Sequence, residues 1–167
     1  MSLSEQYNIG ARVKVRTSLG NTALTQTSAA GPAASTGEAV DRNAVGLRRY
    51  YSCKAAITGF FSAGSSAKFA RVTMNVQHSS DGTSWDNYST DTVPALANWG
   101  ASSSGYASLS TAGAETGSAE QSVNLNGARR YLRIQLAAPT YQDCSSGMQL
   151  NAHGVFVFGG ADELPAQ

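Results

Sequence analysis

Apolar side chains along the chain recur every second residue wherever a period is clear, which is the pattern of strands half-buried on one face. Between residues 70 and 77, Val72, Met74 and Val76 alternate with Arg71, Thr73, Asn75 and Gln77. Residues 51–61 place Tyr51, Cys53, Ala55 and Ile57 on one face, and Leu132, Ile134 and Leu136 alternate with Tyr131, Arg133 and Gln135. In residues 148–158 the run Val155-Phe156-Val157-Phe158 is apolar on both faces, so this strand is expected deep between sheets. Ile9, Ala11, Val13 and Val15 make residues 7–17 a further strand candidate.

Turn chemistry joins some of these strands. Asp-Gly and Asn-Gly supply the positive φ angles of tight hairpin turns. Asp81-Gly82 therefore links residues 72–78 to 83–88, and Asn126-Gly127 links 121–125 to 128–136. Trp85 is expected to pack on the strand carrying Val72, Met74 and Val76. Six to eight strands with turns between them and almost no helical signal predict an all-β chain, a single β-sandwich of jelly-roll type.

Composition changes that picture in one respect. Ala, Ser, Gly and Thr account for 78 of the 167 residues, so large core-forming side chains are few. Residues 28–37 and 98–119 hold almost none, and are expected to be long Ala/Gly/Ser-rich loops or arms that order against a partner. The sequence Gly46-Leu47-Arg48-Arg49-Tyr50 is echoed by Gly127-Ala128-Arg129-Arg130-Tyr131, each leading into a strand.

Charge excludes some partners. With 12 Lys+Arg against 11 Asp+Glu, nothing favours nucleic acid or an anionic membrane as a partner. No run of about 18 apolar residues and no signal-peptide pattern occurs, so synthesis in the cytoplasm is expected. Cys53 and Cys144 have no framework or metal spacing and are expected as reduced thiols.

Candidate chemistry is sparse. His78-Ser79-Ser80-Asp81 contains the residue types of a hydrolase triad, but four consecutive residues at a hairpin tip cannot assemble one, since triads draw on distant segments. His78, His153, Cys53 and Cys144 lack zinc spacing, Asp81 and Asp86 lack a calcium-loop pattern, and no phosphate loop or other cofactor motif is present. No catalytic, metal or cofactor residue is assigned. Two groups suit contacts with other molecules. Trp85, Tyr88, Trp99 and Tyr106 could stack on sugars or bury at a protein interface. Arg outnumbers Lys nine to three, which suits bidentate pairing with carboxylates through Arg48, Arg49, Arg129 and Arg130.

The segment Val76-Gln77-His78-Ser79-Ser80-Asp81-Gly82-Thr83-Ser84-Trp85 resembles a hairpin of tailed-bacteriophage virion proteins. Gly127-Ala128-Arg129-Arg130-Tyr131-Leu132-Arg133-Ile134 and the closing Val155-Phe156-Val157-Phe158-Gly159-Gly160-Ala161-Asp162-Glu163-Leu164-Pro165 look like two further landmarks of that family. The resemblance implies a non-enzymatic capsid decoration (cement) protein on the virion surface. Its partners would be the major capsid protein and other copies of itself, with Trp99, Tyr106, Leu109 and the four arginines as interface candidates. A carbohydrate-binding module on the virion that takes a surface glycan, and a tail or head–tail connector protein, are the alternatives.

Overall fold

The computed structural model describes residues 13–25, 33–43, 47, 50–63, 68–71, 73–89, 107–109, 113–138, 140–142 and 148–161. They form twelve strands: β1 (Lys14–Thr25), β2 (Ser35–Thr36), β3 (Val40–Asp41), β4 (Tyr50–Ala63), β5 (Lys68–Arg71), β6 (Met74–Ser79), β7 (Asp86–Asn87), β8 (Ala107–Leu109), β9 (Gly113–Asn124), β10 (Tyr131–Leu136), β11 (Thr140–Gln142) and β12 (Met148–Ala161).

Two sheets make the sandwich, a four-stranded one in the order β1-β12-β4-β9 and a five-stranded one in which β10 pairs β2, β3 and β6, with β7 beyond β6. A small third sheet runs β11-β5-β8. All pairs within the two main sheets are antiparallel. Their nesting defines the fold. β1 pairs β12, the β2/β3 segment pairs β10, β4 pairs β9, and β6 pairs β7, so strands pair from the outside of the chain inward like the rungs of one long ribbon. Winding that ribbon brings β12 against β4 and β10 against β6. The result is a jelly roll, as the sequence predicts.

The core lies between the two main sheets. Cys53, Ala55 and Ile57 from β4, Met74 and Val76 from β6, Leu132, Ile134 and Leu136 from β10, and Leu150, Ala152, Phe156 and Phe158 from β12 are all buried. The central position of β12 explains its apolar run: Phe156 and Phe158 fill the core, while Val155 and Val157 are half-buried on the outer face. Where the sheets approach each other, a Cβ on Gly154 would come within 3.0 Å of the Leu19 Cβ and 3.1 Å of Ile134 and Ile57 side-chain carbons. Only glycine fits there without displacing core groups.

Some of these expectations are corrected. Of the strand candidate over residues 7–17, residues 7–12 lie outside the described residues and 14–17 open β1, whose alternation is broken by register shifts between Thr17, Leu19 and Thr22. Ser18 and Leu19 are consequently both buried, while Val15 faces solvent at 54% exposure. The supposed arm over residues 98–119 is strand from Gly113 onward, because β9 pairs β4 without interruption from Ala63↔Gly113 to Ser52↔Asn124. Backbone hydrogen bonds hold this stretch, with Ala119, Gln121 and Val123 turned inward. Residues 107–109 form β8, and 98–106 and 110–112 lie outside the described residues. In residues 28–37, Ser35–Thr36 pairs β10, and residues 28–32 are outside the description.

The Asn126-Gly127 turn forms, with Gly127 at φ 88° and the Ala128 N–H donating to the Leu125 carbonyl at 3.0 Å. It does not close a hairpin: β9 belongs to one sheet and β10 to the other, so the turn carries the chain across the sandwich. The Asp81-Gly82 connection does close a hairpin, but the pair His78↔Asp86 leaves a loop longer than two residues.

Candidate interaction surfaces

Ser18 shows how the sheets are joined. Its hydroxyl donates to the Glu38 carbonyl at 2.9 Å and accepts from the Ile134 N–H at 3.0 Å, tying β1 to the opposite sheet. The chain beside it is so close that a Cβ on Gly37 would lie 2.6 Å from the Ser18 carbonyl oxygen. A buried hydroxyl with both bonds made adds stability, whereas one left unpaired would cost about 1–3 kcal/mol.

At the hairpin tip, the residues that resemble a triad are consumed by the turn. The Asp81 carboxylate accepts from the Thr83 and Ser84 N–H groups and from the Ser79 hydroxyl, each at 2.8 Å. The same Ser79 oxygen accepts from the Gly82 N–H at 2.9 Å. The two backbone bonds and the serine bond hold the Asp81 carboxyl well below the usual carboxylate range. His78 is engaged elsewhere. Its ring lies 4.6 Å from that of Tyr88, and its Nδ1 faces the Arg129 N–H at 3.4 Å. Partial burial and the Arg129 charge lower its pKa, partly offset by Asp86. The Tyr88 hydroxyl sits 2.8 Å from the carbonyls of both Asn124 and Asn126, pinning the crossover turn. His153 is exposed on the outer face of β12. Among the described residues no three His, Cys, Asp or Glu side chains gather as a metal site would require.

Arg129 pairs with Asp86, and Arg130 forks onto Asp41, with Nε and Nη2 contacts of 3.0 and 2.7 Å. Arg130 also lies over the Tyr131 ring at 4.8 Å. Of the four arginines proposed for external carboxylates, the two described ones are therefore paired within the chain. Arg48, Arg49, Trp99 and Tyr106 lie outside the described residues, and Leu109 stands in β8 opposite Lys68.

Trp85 is not part of the core cluster. It is half-buried, with the Arg133 guanidinium 4.1 Å over its ring. Its side of the five-stranded sheet is a polar network. Gln77 accepts from Arg133 Nε at 2.8 Å, and its amide donates to Asn87 and Gln135 at 3.0 and 3.2 Å. Asn75 donates to the same Gln135 oxygen at 3.1 Å. Trp85, expected to pack on the strand that carries Met74 and Val76, does not join the core those two side chains fill.

The outer face of the four-stranded sheet is different. Val15 stands opposite Val157, Val155 opposite Ala56, and Phe60 opposite Asn151 and Thr116. Val15 and Phe60 are exposed. Lys54 and Glu120 form a 2.5 Å ion pair on this face, both about half-exposed. A shallow depression of about 700 Å³ runs beside it, lined in part by Val13, Lys54, Ser122 and Val157. This face carries the apolar groups a protein contact would cover.

Cys53 is a free thiol inside the sandwich, and burial pushes its pKa up to about 12, with Arg42 opposing weakly. It is inert at neutral pH. Cys144 lies outside the described residues.

The nested pairing and two-sheet winding place the chain among jelly-roll sandwiches, a class that includes viral capsid and lectin domains. No family model matches it, and no curated protein matches it in sequence. Among solved structures it is similar to a chain of the T13 infectious bursal disease virus particle, with a TM-score of 0.54, 14% identity, and coverage of 90% of this chain and 31% of that one. It is also similar to a chain of the Gt strain of the same virus, with a TM-score of 0.51, 13% identity, and coverage of 90% and 33%. The chain thus spans about a third of the length of these neighbours. The likeness is one of fold alone, and both of these chains come from infectious bursal disease virus, not from a tailed phage.

Proposed function

We propose that the chain is a non-enzymatic structural protein of a virus particle, made in the host cytoplasm, which binds the assembled capsid from outside as a decoration protein. The observation that carries this reading is the complete jelly-roll winding, shared in fold with chains of a virus particle. The decoration role adds the three sequence landmarks that resemble phage virion proteins. The outer face of the four-stranded sheet is the surface we assign to the contact, since Val15 and Phe60 are exposed there and Val155 and Val157 only half-buried, while the opposite face satisfies its own polar groups.

The mechanism is bridging. A protein that contacts two or more subunits of the major capsid protein adds its interface free energy to the assembled state alone, and mass action then opposes dissociation. Repeated copies on a symmetric lattice strengthen attachment through avidity.

The test uses shells assembled from the major capsid protein alone. A decoration protein adds to finished shells at saturating, symmetric stoichiometry and raises their disassembly temperature. Shells that form only when this chain is supplied would make it a shell-building subunit, and attachment confined to tails would make it a tail or connector protein. A second reading, glycan binding, rests on the half-exposed Trp85 ring, although Arg133 already occupies one ring face. Saturable binding of glycans by the isolated protein, lost in Trp85→Ala, would favour it.

A further inference from the structure

Two described turns place a glycine directly after an Asp or an Asn, and the fold treats them differently. At Asp81-Gly82 both residues are engaged. The carboxylate accepts from Ser79, Thr83 and Ser84, and the Gly82 N–H donates to the Ser79 hydroxyl oxygen at 2.9 Å. Held below its usual pKa, that carboxylate is ionised at neutral pH and is a poor electrophile. At Asn126-Gly127 the reactive groups are open. Among the described residues, neither the Asn126 side-chain amide nor the Gly127 N–H has a hydrogen-bond partner. The bonds of Asn126 run through its backbone: its N–H donates to Asn124 Oδ1 at 2.9 Å, and its carbonyl accepts from the Tyr88 hydroxyl at 2.8 Å. Both residues are exposed, and a Cβ on Gly127 would meet only the Tyr88 hydroxyl oxygen, at 4.0 Å.

We propose that Asn126-Gly127 is a self-modifying site, where the Gly127 backbone nitrogen displaces the Asn126 side-chain amide and water then leaves aspartate or iso-aspartate. The bond from Gly127 N to Asn126 Cγ forms and the Cγ–Nδ2 bond breaks, so that ammonia departs carrying the Gly127 proton. The resulting succinimide takes up one water at either of its carbonyls and opens, and the new acid gives its proton to solvent. Water is the sole co-reactant, and nothing is oxidised or reduced. Glycine suits the attacking position because no side chain shields its nitrogen.

The two products act differently on the fold. Aspartate leaves the backbone path unchanged and adds one charge at an exposed position, where its effect is small. Iso-aspartate routes the backbone through Cβ and Cγ, lengthening it by one carbon, about 1.5 Å. That length enters a turn closed by the Ala128 N–H on the Leu125 carbonyl at 3.0 Å. It also lies just before the Ala128 and Arg129 carbonyls, which accept from Arg42 Nη1 at 2.7 and 3.3 Å. Iso-aspartate therefore loosens the crossover between the two sheets. The site rests on this turn and is independent of the capsid reading.

The experiment incubates the full-chain protein at neutral and at mildly alkaline pH and follows it by peptide mapping with mass spectrometry, separating the two products chromatographically against synthetic standards. Asn126 should lose its amide well before Asn75, Asn87 and Asn151, at a rate that rises with hydroxide, and Asn126→Gln should abolish the conversion. The iso-aspartate form should melt at a lower temperature than the unmodified protein, whereas Asn126→Asp should melt close to it. A folded protein in which Asn126 keeps its amide as long as Asn75 does would overturn the proposal. So would an iso-aspartate form that melts together with Asn126→Asp.

Discussion

On the five-stranded sheet, Asn75, Gln77, Arg133 and Gln135 bond to one another and Arg133 covers Trp85. Across the sandwich, Val15, Val155, Val157 and Phe60 share the outer face of the four-stranded sheet with small residues and one ion pair. Both faces are the solvent side of a jelly-roll sheet. One is finished by contacts within the chain; the other leaves apolar area that only another surface would remove from water. In a chain with so few large apolar residues, placing valines and a phenylalanine there uses material the core could have taken. That difference is the reason the proposed contact is placed on the four-stranded sheet.

The comparison can be broken within a single strand. Phe156 and Val157 are neighbours on β12, one in the core and one facing outward. Phe156→Ala should cost about 3–5 kcal/mol and strongly destabilise the free protein. Val157→Ser, together with Val15→Ser, should change free-protein stability by far less, in the range of about 1 kcal/mol, while weakening attachment to shells. Thermal melts and shell co-sedimentation separate the two effects. Equal loss of stability from both changes would show that the outer valines belong to the fold.

The finished face should respond through stability instead. Gln77→Ala removes the hub of the network and should cost about 1–2 kcal/mol, and Trp85→Ala about the same through the lost stack and packing. Both are smaller than the unfolding expected of a core tryptophan. Denaturant midpoints measure them, and shell binding should be unchanged.

A smaller effect is electrostatic. The fold holds the His78 pKa below its ordinary value, so the folded state takes up its proton less readily than the unfolded one. Stability should therefore fall as pH drops through about 6.5, the unfolded value, and level off below the folded pKa. His78→Gln should flatten that part of the profile. Asp81, also held below its ordinary value, acts in the same sense at lower pH: its contribution is present above the ordinary carboxylate pKa and is lost in strong acid.

Much of this architecture is legible from the chain. The alternations at Leu132, Ile134 and Leu136, at Cys53, Ala55 and Ile57, and along β12 mark their strands because each face meets one environment. Asp81 marks its loop because its own carboxylate builds it. What stays hidden has physical causes. Residues 113–119 have no large apolar side chains, and the ladder from β4 makes them a strand. Ser18 is a polar residue turned inward by a register shift, which defeats a period of two. Asn126-Gly127 specifies a reversal of the chain, but not that the next strand joins the other sheet. Arg42 is isolated in sequence, and only the fold brings it beside Arg129 and Arg130.

The central claim concerns where the protein sits and which face it uses. Cryo-electron imaging of particles carrying the protein, at a resolution that separates the two sheets, tests both at once. The account predicts density at symmetric positions on the outer surface of the shell, with β1, β12, β4 and β9 turned toward the capsid subunits and the Trp85 face toward solvent. Density inside the continuous shell, on the tail, or docked through the Arg133–Trp85 face would contradict it.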